Sequence, residues 1–254
     1  MEVKALKFGG LTAKRPIVQG GMGVGVSLSS LAGNVAKCGG VGTISGVHPG
    51  YREADFKENP FRANLRAIGN ELEKAKEIAS GGIIGFNFMT VMNHYEEYVK
   101  EAIAAGADFI VSGAGLPANL AKYAAGTRAA ILPIVSSARA LKLIVKQWQR
   151  ADRLPDAVVV EGPLAGGHLG YPYGHLVDGT FDTLEDSLVD VVDYVRELEE
   201  KNGVKIPVVA GGGVRNHADM ERLMALGASG VQVGTKFVAT EECDAAPAFK
   251  QAYL

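Results

Sequence analysis

The chain has 254 residues, 47% of them hydrophobic and 21% charged, with a formal net charge of −2. That balance suits a single large α/β domain over 1–254 with a sizeable core, and it excludes the basic field that nucleic-acid binding needs. Two cysteines, Cys38 and Cys243, are too few for a disulfide framework or a cysteine metal site, and with neither a signal peptide nor an apolar run of about 18 residues the expectation is a cytoplasmic protein that enters no membrane.

Apolar runs and helical stretches alternate along the whole chain. After a polar lead-in, Pro16 to Gln19 reads as a first strand, ending in Gly20-Gly21-Met22-Gly23. Helical spacing follows over 27–37, with Ser27 placed to cap it. Residues 40–45 form a second strand, and a longer passage with His48 leads to a helix over 60–79. Strand three is 83–89, followed by a helix over 94–105. Strand four is 109–112, followed by a short helix at 118–123. Strand five is 130–135, although Pro133 argues against a central position. A helix over 138–150 carries Trp148 against the sheet. Strand six, 157–160, runs into Glu161-Gly162-Pro163-Leu164-Ala165-Gly166-Gly167-His168. A long passage with Tyr171, Tyr173 and His175 precedes an amphipathic helix over 183–201. Strand seven, 206–210, ends in Gly211-Gly212-Gly213, and its helix opens at Asn216. Strand eight, 230–233, ends in Gly234-Thr235.

Eight β-then-α units with continuously apolar, β-branched strands predict a closed (β/α)₈ TIM barrel. An open doubly wound sheet is the alternative, but the glycines after strand one match its phosphate loop only loosely. In a barrel the ligand site lies at the carboxyl ends of the strands. Those ends carry Gly20 to Gly23, Ser45, Asn87, Ser112, Ser137, Glu161 with His168, Gly211 to Gly213, and Gly234-Thr235. Glycine turns on adjacent strands seven and eight, each before a helix, are how barrels cradle a phosphate; the same glycines also serve simple tight turns. A histidine such as His168, with a free pKa of about 6.5, either exchanges a proton near neutral pH or merely bonds a loop carbonyl. His48, Tyr171, Tyr173 and His175, in the two longest loops, either touch substrate or pack their loops.

The combination of Pro-Ile-Val-Gln-Gly-Gly-Met, Gly-Phe-Asn-Phe, Ala-Gly-Gly-His-Leu-Gly, Val-Ala-Gly-Gly-Gly-Val and Gly-Val-Gln-Val-Gly-Thr-Lys-Phe resembles the nitronate monooxygenase (2-nitropropane dioxygenase) family. That family is similar to flavin-dependent enoyl-acyl-carrier-protein reductases and barrel-type NADH:quinone reductases. The resemblance, over about residues 14–242, implies an FMN enzyme with no metal. Gly20, Gly21 and Met22 would line the isoalloxazine, with Asn87 at its edge and Glu161 beside it. Gly167 would face the ribityl chain, while Gly212, Gly213, Gly234 and Thr235 would hold the phosphate. His168 would be the base that removes the proton α to a nitro group, or would orient the nitronate.

The resemblance further implies oxidation of alkyl nitronates by O₂ to carbonyl compounds and nitrite. The alternative keeps the flavin but reduces enoyl or quinone substrates, with NAD(P)H as co-substrate. Two readings outside this chemistry are a flavin-free barrel acting on a phosphorylated substrate, with Lys236 as its one nearby lysine, and a non-catalytic flavin carrier. A homodimer is the candidate assembly. Because relatives run on past the position of Leu254, the barrel is expected to lack part of their C-terminal segment.

Overall fold

A computed structural model describes residues 4–254. Its first element is a hairpin. Strands β1 (Leu6–Phe8) and β2 (Leu11–Ala13) pair antiparallel around Gly9-Gly10. Both turn residues have positive φ, 52° and 78°, as a two-residue turn with the twist of its strands requires. Leu6, Phe8 and Ala13 are buried against Val18, Val41, Phe109, Ala130 and Ala157 at the amino ends of the barrel strands. The expected polar lead-in is thus a structured plug. Its apolar residues alternate on either side of a Gly-Gly turn, so one face of the hairpin seals the barrel floor.

The barrel strands are β3 (Ile17–Gln19), β4 (Val41–Ser45), β5 (Ile83–Met89), β6 (Phe109–Gly113), β7 (Ala130–Val135), β8 (Val158–Glu161), β9 (Val208–Gly211) and β10 (Gly230–Val233). All neighbours pair in parallel, and β10 returns to β3, so the sheet closes. Closure selects the barrel over the open sheet. Pro133 does occupy a central strand: it pairs with Ser112 of β6, and pairing with β8 is registered from Ile134 onward.

The helices are α1 (Ser29–Lys37), α2 (Pro60–Ala79), α3 (Tyr95–Ala104), α4 (Leu120–Tyr123), α5 (Ala138–Trp148), α6 (Tyr173–Asp178), α7 (Leu184–Asn202), α8 (His217–Ala225), α9 (Thr235–Val238) and α10 (Pro247–Gln251). Alternate strand residues such as Ile44, Ile84, Phe86, Ile110 and Val158 pack outward against Ile68, Leu72, Leu141, Ile144, Leu188 and Val191. Trp148 is fully buried in this outer shell, and its indole N–H donates to the carbonyl of Pro117 at 2.8 Å.

Two local expectations need correction. Ser27 does not cap α1, which begins at Ser29 with Leu28 in the cap position and no side-chain cap of its own. The carboxylate of Asp244 takes that place, and the Ser27 hydroxyl turns to Met22 instead. The passage after Gly170, read as a loop, contains the six-residue helix α6.

Helix α7 matches its expected start. Thr183 caps it by accepting from the N–H of Asp186 at 3.2 Å, while the Asp186 carboxylate accepts the N–H of Thr183, a reciprocal capping box. Thr183→Ala should therefore lower stability by about 1 kcal/mol, read as a shifted urea midpoint at unchanged slope.

Candidate active site at the carboxyl end of the barrel

The ladder between β3 and β4 has one registered pair, Val18 with Val41. The buried carboxamide of Gln19 extends it: Nε2 donates to the Thr43 carbonyl at 2.8 Å, and Oε1 accepts the Thr43 N–H at 3.3 Å. Past Gln19 the backbone leaves the sheet through Gly20 and Gly21. A Cβ on Gly21 would stand 2.4 Å from Cβ of Asn87, so no other residue fits beside that strand end. The next residue, Met22, is held by Ser27, whose hydroxyl accepts the Met22 N–H at 2.8 Å and donates to its carbonyl at 3.2 Å. The Met22 sulfur lies 3.4 Å from where a Cβ on Gly234 would be. The turns after β3, β5 and β10 therefore meet.

The other side is built by β8 and β9. Glu161 ends β8, is partly buried, and has no ion-pair partner among the described residues. Burial pushes its carboxyl up to about 7, because desolvation penalises the charged form. The following loop is pinned at its two ends. Gly162 donates its N–H to the Gly211 carbonyl at 2.9 Å, and the Ser136 hydroxyl donates to the Gly170 carbonyl at 3.1 Å. Between these pins Gly166 and Gly167 face open space, and His168 is exposed with no hydrogen bond among the described residues. The hydroxyl of half-buried Tyr171 reaches back to the Glu161 carbonyl at a long 3.4 Å.

After β9, Gly212 and Gly213 have φ of 100° and 80°, a region that penalises residues with a Cβ. A Cβ on Gly212 would come within 3.0 Å of the Ala165 nitrogen, and one on Gly213 within 3.1 Å of Leu164. Gly212 and Gly213 thus lie flat against the β8 loop. Gly234 immediately precedes Thr235, the first residue of α9. The first N–H groups of any helix lack intrahelical partners and carry the positive end of its dipole.

Contacts thus link Gly20, Gly21, Met22, Asn87 and Gly234 on one side, and Glu161, Tyr171, Gly212 and Gly213 on the other. Gln232 joins them, since Cβ atoms on Gly20 and on Gly211 would both touch its side chain. Gly167 and His168 sit at the open loop tip, and Tyr173 and His175 are exposed on α6. His48 follows β4 at the same barrel end, 3.4 Å from the Asn64 side chain of α2 and edge-on to Phe56. Two small residues expected at the site are structural. Ser112 is buried and bonded to the Tyr95 hydroxyl of α3 at 2.8 Å, and Ser137 caps α5. Sequence reading passed over Gln19 and Gln232 as site builders, although each is a polar residue interrupting an apolar strand.

Among the described residues, no group of three or more His, Cys, Asp or Glu side chains is placed to hold a metal, and no helix is long and apolar enough to cross a membrane. The family model for nitronate monooxygenase matches residues 4–254. The chain belongs to the nitronate monooxygenase family. It is 27% identical to a nitronate monooxygenase of Paraburkholderia phytofirmans, over 94% of this chain and 68% of that protein. A (3aS,4S,5R,7aS)-5-hydroxy-7a-methyl-1-oxo-octahydro-1H-indene-4-carboxyl-CoA dehydrogenase of Rhodococcus jostii is 26% identical, over 95% of this chain and 57% of that protein. Among solved structures, FabK from Thermotoga maritima superposes with a TM-score of 0.72 at 26% identity, over 94% of this chain and 64% of FabK. The chain thus spans about three fifths of the length of the last two proteins.

Proposed function

We propose that this chain is the barrel of an FMN-dependent oxidoreductase that oxidises alkyl nitronates with O₂ to carbonyl compounds and nitrite. One observation carries the reading: glycine turns after β3, β9 and β10 surround one barrel end, next to a carboxyl group without a charged partner. Flat glycine backbone suits an aromatic ring system, and the start of α9 suits a phosphate. The residues present therefore fit FMN. Gly20, Gly21 and Met22 would offer their backbone to the ring, with Asn87 and Glu161 at its edge. Gly167 would meet the ribityl chain; Gly212, Gly213, Gly234 and Thr235 would take the phosphate. When bound, FMN supplies the electron transfer from substrate to O₂. His168, exposed at a loop tip with open space around Gly166 and Gly167, would orient the nitronate, or remove the α-proton of a neutral nitroalkane at its imidazole. Tyr171, Tyr173 and His175 flank that loop and would shape the substrate entrance.

A second reading keeps the cofactor and reduces an enoyl thioester or quinone with NAD(P)H. Equal identity to the carboxyl-CoA dehydrogenase and to FabK favours retaining it. A yellow preparation that consumes O₂ and releases nitrite with propane-2-nitronate supports the first reading. Anaerobic bleaching by NADH without nitrite formation supports the second, and a colourless protein that cannot be reconstituted with FMN defeats both.

Gly234→Asp tests the phosphate position. Gly234 has φ of −120°, and a Cβ there meets nothing closer than 3.4 Å, so the fold accepts a side chain. The added carboxylate, where a phosphate is expected, should give folded, colourless protein. Full flavin occupancy in this variant would remove the phosphate from Gly234.

A further inference from the structure

Beyond α9 the chain returns to the first turn of the barrel. Oδ2 of Asp244 accepts the N–H groups of Leu28 at 2.8 Å and Leu31 at 3.0 Å, and Oδ1 accepts that of Ser30 at 3.1 Å. The Asp244 N–H donates to the Val26 carbonyl at 3.2 Å, and the Cys243 thiol points at the same oxygen at 3.4 Å. Val26, Val238, Cys243 and Ala245 form a small buried cluster with Met22 packed on it. From the other side, Arg52 donates to the Asp244 carbonyl and to the Tyr51 hydroxyl, whose ring fills the space beside Gly25.

We propose that Asp244 is a positioning residue, a clasp that sets the shape of the loop from Gly20 to Ser27 and thereby the surface that loop presents to the flavin. The clasp rests on the cofactor reading above for its consequence, though not for its geometry. The loop contains Gly20, Gly21, Gly23 and Gly25, and so many glycines carry too much backbone freedom to hold one shape unaided. Helix α1 brings no capping side chain of its own, and an anion at a helix start is favourable both as acceptor and against the dipole. Two carboxylates meet the start of α1: Glu71 accepts the Ser29 N–H at 3.0 Å, while Asp244 takes those of Leu28, Ser30 and Leu31 and also ties back to Val26 within the loop, and the cluster around Cys243 seats Met22 in its middle.

The test compares Asp244→Ala with Asp156→Ala. The Asp156 carboxylate likewise accepts a backbone N–H, that of Ile131 in β7 at 2.8 Å, but stands at the amino end of the barrel near Gly9. Two readouts are taken: hydrogen exchange over residues 22–31 in flavin-free protein, and the FMN dissociation constant. Asp244→Ala should speed exchange over 22–31 and weaken FMN by about tenfold or more, equivalent to about 1.4 kcal/mol. The Asp156 variant should do neither. Asp244→Asn, which keeps the shape and one carbonyl acceptor, should fall between and serves where the alanine variant fails to fold. Unchanged exchange over 22–31 overturns the clasp. So does faster exchange with unchanged FMN affinity, or equal FMN loss in the Asp156 variant. Failure of the unaltered protein to bind FMN would instead overturn the cofactor reading, and the exchange comparison would still decide whether Asp244 holds the loop.

Discussion

His168→Ala should slow oxidation of a neutral nitroalkane by about 10²–10⁴-fold, the usual contribution of a positioned base, while flavin content stays unchanged. The preformed nitronate has already lost its α-proton, so its oxidation should suffer much less. Measured on one variant, the two substrates separate proton removal from electron transfer. The geometry makes this a clean substitution. His168 is exposed and forms no hydrogen bond among the described residues, so alanine removes neither packing nor a network. Equal loss on both substrates would assign His168 to orienting the anion. Full activity on both would detach the histidine from the chemistry and remove the main support for a nitronate substrate.

Glu161→Gln should make the flavin-free protein more stable at pH 8 than the unaltered protein, by about 1–3 kcal/mol, and by less than about 1 kcal/mol at pH 5. The sign follows from proton linkage. The folded-state carboxyl is raised from 4.5 to about 7, so the folded chain keeps a proton that the unfolded chain releases between those values. Stability is therefore fully present below about 4.5, falls as pH climbs through 7, and levels off above it. A shift of that size corresponds to at most about 3.4 kcal/mol, and solvent reaching the partly exposed group reduces it. Glutamine carries no charge at either pH and removes this dependence. Other carboxylates contribute equally to both proteins and cancel in the difference. Urea titrations at pH 5 and pH 8 supply all four numbers, and a difference that is the same at both pH values would mean that Glu161 is not held in its neutral form.

The barrel was legible in the chain because parallel strands covered by helices must be apolar throughout, and eight such runs lay between helical stretches. Residues 60–79, 83–89 and 130–135 were bounded to the residue, since Asn-Pro, Gly-Gly and Ser-Ser punctuate them. The hairpin at 6–13 reads as polar because Lys7 and Thr12 stand on its open face, although Leu-Lys-Phe-Gly-Gly-Leu-Thr-Ala alternates as a hairpin should. Ser27 illustrates a different limit. It had the right chemistry at the right place for a cap, but an aspartate more than 200 residues away took the position, and no local pattern reveals that. The glycine turns of the site could be read because each stands at a strand end. The bridging role of Gln232 could not, since β3 and β10 become neighbours only after closure.

The single registered pair between β3 and β4, set against three between β3 and β10, bears on the order in which the molecule can be completed. The first barrel strand is held more by the last strand than by the one that follows it in the chain. On a ribosome, β4 emerges early, but β10 begins 185 residues after β4 ends. Until then β3 has the Gln19 carboxamide and the floor hairpin to keep its place, and the turn from Gly20 to Met22 has no Gly234 to lie against. Such distant pairings close late and slowly. The turn from Gly20 to Met22 therefore finds its neighbour across the barrel only when the last strand is made.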